Sequence, residues 1–140
     1  MASGYTAAMS MRFFLAASLV VLGCGPQSSR VVMNAENNSG QSGFAQLTAL
    51  SRTSTRIELD LAASNDPAPQ QAHVHEGRCG ELGPIRVNLM PLTPASGRAG
   101  RLTSTSTADL GLEELTAGTF VINVHDSRDF SLYVSCGALE

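Results

Sequence analysis

Two histidines one residue apart begin the stretch His73-Val74-His75-Glu76-Gly77-Arg78-Cys79-Gly80. On a β-strand, side chains alternate between faces, so His73 and His75 project together while Val74 turns into the opposite layer. A pair of neutral imidazoles on one face is suited to chelating copper, zinc or nickel. The remaining histidine, His125, ends Phe120-Val121-Ile122-Asn123-Val124-His125, a second segment that reads as a strand. Cysteines accompany both places: Cys79 in a glycine-rich turn after His75, and Cys136 in Val134-Ser135-Cys136-Gly137. The same two residue types at both ends of the chain suggest one metal site and one cross-link within one fold.

The elements that must position these residues are short and polar-edged. Thr55-Arg56-Ile57-Glu58-Leu59-Asp60-Leu61 is the clearest alternation, with Ile57, Leu59 and Leu61 inward and the charged residues outward. Val31–Glu36, Phe44–Leu50, Ile85–Leu89, Arg98–Thr107, Thr119–His125 and Phe130–Cys136 read as further strands. Turns rich in Asn, Ser, Gly and Pro separate them, among them 37–43, 62–70, 80–84 and 90–97. Asp109–Gly118 has room for a single helical turn. Seven to eight short strands without a long amphipathic helix predict an all-β antiparallel sandwich or barrel. The chain of 140 residues allows one domain, with sparse aromatics (5%) and no Trp. It has no lysine and a net charge of −3, which argues against nucleic acid as a partner.

The N-terminal part reads as an export signal. Arg12 precedes the apolar run Phe13 to Leu22, too short for a comfortable membrane span, and the run ends in Val21-Leu22-Gly23-Cys24. That ending is similar to a bacterial lipobox, in which Cys24 takes the lipid and becomes the first mature residue. The expected organisation is a signal over 1–23, a polar tether over 24–30 and one domain over 31–140. The expected place is the cell envelope, with the membrane as a partner through the lipid. An ordinary signal peptide with a chance cysteine is the alternative.

His-Val-His-Glu followed by Cys79, then Val124-His125-Asp126, then Ser135-Cys136-Gly137, resembles the copper/zinc superoxide dismutase superfamily. It is most similar to the small bacterial dismutase-like proteins and to the modules named after a domain of chordin (CHRD). The resemblance runs from about Val31 to Leu139. It implies a Greek-key β-sandwich with His73, His75 and His125 as ligands of one copper ion. Three imidazoles suit Cu(II) and Cu(I) alike. With Cys24 lipidated, Cys79 and Cys136 are the natural disulfide pair in an oxidising compartment; two free thiols are the alternative. Glu76 and Asp126, each directly after a ligand, read as ordinary solvated carboxylates, with support of the ligands or a turn as the alternatives.

Departures from the dismutases limit what the resemblance implies. Gly80 to Pro84 runs almost at once into the next strand, so the long zinc-site loop is missing. All three histidines are already used, so no bridging histidine remains and a zinc site is not expected. Tyr133 occupies the position, three residues before Cys136, where the enzymes carry the arginine that attracts superoxide. Arg78 and Arg128 are the cations nearest the motif in sequence. The expectation is a copper-binding envelope lipoprotein with weak or absent superoxide dismutation. The alternatives are an active zinc-free copper enzyme and a metal-free structural module. A hydrolase, the third reading, has little support, because no serine is placed by motif beside a histidine and an acid.

Overall fold

The alternation at Thr55–Leu61 is realised in full. Within the strand Ser54–Ala62, the side chains of Thr55, Ile57, Leu59 and Leu61 are buried and Arg56 is exposed. The computed structural model describes Met1, residues 25–63 and residues 68–140. The signal segment and Cys24 lie outside the described residues. In chain order the elements are β1 (Ser28–Ala35), β2 (Gly43–Ser51), β3 (Ser54–Ala62), β4 (Ala72–Arg78), β5 (Glu81–Asn88), β6 (Thr93–Pro94), β7 (Arg101–Ala108), α1 (Leu112–Ala117), β8 (Phe120–His125) and β9 (Tyr133–Leu139).

All pairings are antiparallel, in the order β5-β4-β8-β9-β1-β2-β3-β7-β6. The sheet curls into a half-barrel whose two halves share β1. Ser28–Met33 pair with β2, whereas Asn34 and Ala35 pair with β9. Three connections (β3 to β4, β5 to β6, β7 to β8) pass between the halves, giving the long returns of a Greek-key arrangement. Between the halves lies the core. Leu47, Ile57, Leu59, Leu61 and Leu102 come from one half, Val74, Ile122, Val124 and Leu139 from the other, and Leu115 of α1 joins the cluster.

The structure differs from the sequence reading at several boundaries. Among the described residues there are nine strands rather than seven to eight, because the two-residue β6, inside the expected 90–97 loop, pairs Thr93 and Pro94 with Thr103 and Leu102. Strand β1 begins at Ser28, inside the expected tether, because Ser28, Ser29 and Arg30 find partners in Thr48, Leu47 and Gln46. Strand β5 takes in most of the expected 80–84 loop, since Arg78 pairs with Glu81 across the two-residue turn Cys79-Gly80. Gly80 adopts φ 88° there, a conformation that glycine reaches without steric cost. Strand β9 starts at Tyr133, not Phe130, because Asp126 Oδ1 accepts the backbone N–H of Arg128 and Asp129 and folds that segment into a turn.

A polar lock sets the start of β4. Gln41 and Gln70, both fully buried, exchange reciprocal amide hydrogen bonds of 2.8 and 2.9 Å. Gln70 also bridges Leu92, and the next residue, Gln71, accepts the His125 N–H at 2.9 Å. The chain therefore enters the His73-Val74-His75 strand from a point tied to the strand that carries His125.

Candidate metal centre

Strands β4 and β8 pair with Ala72 opposite Val124, His73 opposite Asn123, Val74 opposite Ile122 and His75 opposite Val121. Ala72, Val74, Ile122 and Val124 belong to the core cluster. Alternation then sends His73, His75, Asn123 and His125 to the other face of this half. His125 is the diagonal neighbour of His73, close enough for large side chains on adjacent strands to meet. Strand β9 adds Tyr133 opposite His125 and Cys136 opposite Asn123.

Although this face is turned away from the core, it is largely shielded from solvent. His75 and His125 are 7% and 8% exposed, while His73 is half-buried. Both buried histidines sit at irregularities of the ladder. On β5, Arg86 is extra between Val87 and Ile85, and Gly83 and Pro84 together face the single residue Glu76. On β9, Val134 is extra between Ser135 and Tyr133, opposite the step from Val124 to His125. Bulges of this kind re-aim side chains and are common beside functional sites.

Backbone carbonyls fix two of the rings. His75 Nδ1 lies 2.9 Å from Gly83 O, and His125 Nδ1 lies 2.6 Å from Phe130 O. A carbonyl oxygen only accepts, so both Nδ1 atoms carry the proton and both Nε2 atoms present a lone pair. His125 Nε2 meets His73 Nδ1 at 3.0 Å, with His73 as the donor. Among the described residues, His75 Nε2 is buried and has no hydrogen-bond partner. One ring nitrogen from each histidine lies within 4.8 Å of the others. A cation about 2.0–2.1 Å from each nitrogen needs them roughly 3.3–3.6 Å apart. His73 Nδ1 and His125 Nε2, 3.0 Å apart, lie just under that range, and no pair of the three exceeds 4.8 Å.

The electrostatics favour the neutral form of His73. Burial, and then the neighbouring His125 and His75, lower the pKa of His73 below its ordinary 6.5. A neutral imidazole is the form that ligates.

The cysteines stabilise the same face. Cys79, at the β4–β5 hairpin tip, is joined to Cys136 on β9 by a disulfide with Cα atoms 5.9 Å apart. The bond anchors the hairpin that carries Gly83 O to His75. Two glycines allow the hairpin to close. Gly77 adopts φ 104°, and a Cβ there would lie 2.5 Å from Glu81 O; a Cβ on Gly83 would lie 3.0 Å from Glu76 O. Glu76 is exposed and pairs with Phe120, and Asp126 organises the turn that presents Phe130 O. Arg78 is held by Glu81 at 2.6 Å on the exposed tip. The Tyr133 ring stands edge-on to His125, with centroids 5.3 Å apart.

The chain matches the CHRD domain over residues 27–131. It belongs to the CHRD domain family. No curated protein and no solved structure matches it. The CHRD match takes in all three histidines and Cys79 and stops short of Tyr133 and Cys136. The dismutase side of the expected resemblance has no matching relative or structure behind it and rests on the histidine and cysteine motifs.

Sequence reading named all three histidines and both cysteines of this face. It missed Asn123, which is 1% exposed and has Nδ2 3.5 Å from His125 Nε2. The signal was present, since Asn123 precedes His125 by two residues on a strand. It also missed Gly83 O and Phe130 O, which act through the backbone and carry no signal in residue type.

Proposed function

We propose that this CHRD module binds one copper ion through His73, His75 and His125 and works as an exported copper-binding protein. The observation that carries the reading is His75 Nε2, a buried lone pair without a partner in a ring held by Gly83 O. Leaving such an atom unsatisfied costs roughly 1–3 kcal/mol, which a cation at that position would offset. The donor set fits: three imidazole nitrogens, two of them oriented by carbonyls as metal-ligating histidines usually are. Copper is preferred because imidazole suits both its oxidation states and it heads the divalent affinity order. Bound there, copper would supply one-electron chemistry. His73 Nδ1 would give up its hydrogen bond to His125 and move its proton to Nε2.

Superoxide turnover is expected to be weak or absent. Steering of an anion by a cationic funnel raises association rates roughly 10–1000-fold. Here Tyr133 stands beside His125, Arg78 is paired with Glu81, and the chain carries a net charge of −3. The half-exposed His73 favours the alternative of an active zinc-free copper dismutase, since it leaves one side of the site open. The His73–His125 hydrogen bond favours a metal-free structural module, since it pairs two of the rings without an ion. The lipid at Cys24 and the envelope location rest on the lipobox-like Val21-Leu22-Gly23-Cys24 alone.

Metal analysis of the full chain purified from a bacterial envelope, followed by Cu(II) titration and electron paramagnetic resonance, tests the reading. One nitrogen-rich Cu(II) site per chain is expected, lost in His73→Ala, His75→Ala or His125→Ala. Absence of copper binding in the wild type gives the structural module precedence. Dismutation near the diffusion limit on the same sample would establish the enzyme instead.

A further inference from the structure

We propose that Asn123 is a fourth protein donor of this centre, its carboxamide oxygen biasing bound copper toward Cu(II). The inference rests on the three-histidine reading and adds a residue that no motif assigns. Asn123 lies between His73 on β4 and Cys136 on β9, on the face that carries the histidines. It is 1% exposed, and its carboxamide lies 3.5 Å from His125 Nε2, at the outer limit of a hydrogen bond.

Burial alone does not explain an amide at this position. Val121, two residues earlier on the same face of β8, is equally buried and apolar. A buried carboxamide is costly unless its polar atoms are used. Its two ends have nearly the same shape, and a half-turn about the terminal torsion exchanges nitrogen for oxygen. His125 Nε2 is the lone-pair nitrogen of its ring, because Nδ1 donates to Phe130 O. A cation on Nε2 would repel the amide N–H groups and attract the oxygen. Three imidazoles leave a coordination position open, and the Asn123 carboxamide is a polar group 3.5 Å from the ligating His125 Nε2. A carboxamide oxygen is a harder donor than imidazole, so it favours the more highly charged oxidation state.

Cu(II) titration, paramagnetic resonance and reduction potential of the full chain, compared with Asn123→Asp and Asn123→Leu, test the inference. Asn123→Asp should tighten Cu(II) binding and lower the potential. Asn123→Leu should weaken Cu(II) binding and raise the potential. Each affinity change should be on the order of tenfold. Opposite movement is the discriminating result, because a merely structural amide would make both variants worse in the same direction. Should Asn123→Leu not fold, the near-isosteric Asn123→Asp decides alone: tighter Cu(II) with an altered spectrum supports the ligand, and an unchanged spectrum or weaker binding overturns it. Copper binding by the wild type with unchanged Asn123 variants rejects this inference and leaves the three-histidine site standing. No copper in the wild type rejects both.

Discussion

His75 carries the sharpest tension at the scale of single residues. One nitrogen is satisfied by Gly83 O and the other is buried without a partner. Replacing the ring by leucine removes the orphaned lone pair and leaves Gly83 O without its donor, two effects of opposite sign. His75→Leu should therefore shift metal-free stability by no more than about 1–2 kcal/mol. It should nevertheless lose the stabilisation by copper, which for the wild type is about 2.7 kcal/mol at a free concentration 100-fold above Kd. Thermal unfolding with and without Cu(II) separates the two effects; a copper-dependent rise retained in His75→Leu would remove this ring from the site.

Asp60 makes a different prediction at the same scale. Partial burial raises its carboxyl pKa, but hydrogen bonds and charges from Arg98 and Arg101 outweigh that and hold it below 3.8. The folded state therefore binds this proton less readily than the unfolded state. Its stabilising contribution is complete above the unfolded value and is lost as pH falls through the folded one. Urea midpoints between about pH 2 and pH 5 should fall with acid, and Asp60→Asn should flatten that slope. An identical slope in the variant would assign the acid response to other carboxylates.

Among the elements, the β4–β5 hairpin links the cross-link to the histidines. It carries Cys79 at its tip and Gly83 O on its return, and the disulfide anchors it to β9. The bond closes a separation of 57 residues, for which the chain-entropy relation gives about 4 kcal/mol. Replacing Cys79 and Cys136 together by serine should lower stability by that order and also weaken copper binding, because the hairpin orients His75. Denaturant unfolding and Cu(II) titration on the same double variant test both. Lost stability with unchanged copper affinity would show that the hairpin orients His75 without its anchor.

For the whole molecule, the Greek-key returns bring residues 50 positions apart in sequence onto one face, and the curled sheet keeps that face separate from the core. The domain described here begins its first strand at Ser28, only a few residues after Cys24. If Cys24 carries lipid, only a short segment separates the lipid from the Ser28 end of β1, while the histidine face adjoins the other end of that strand, where Asn34 pairs with Cys136. Cys24→Ser should then move the protein from the membrane fraction to the soluble fraction of an expressing cell. Unchanged retention in the membrane fraction would exclude a lipid at that residue.

Strand alternation, turn chemistry and motif spacing are local properties, and they were legible in the residues themselves. They determined the all-β class, the inward set of β3, the shared face of His73 and His75, and the three histidines and two cysteines as the residues of interest. Strand register is a property of pairs and needs the fold. Only the tertiary structure decided that Ser28–Arg30 pair with β2, that Asp126 folds 126–132 into a turn, and that bulges sit beside both buried histidines. It also decided which nitrogens are free to ligate, because that depends on Gly83 O and Phe130 O. Every residue has a backbone carbonyl, so residue type cannot reveal which one will meet a histidine. Asn123 lies between the two cases: alternation places it on the face of His125, and only the pairing with β4 and β9 brings it between His73 and the disulfide.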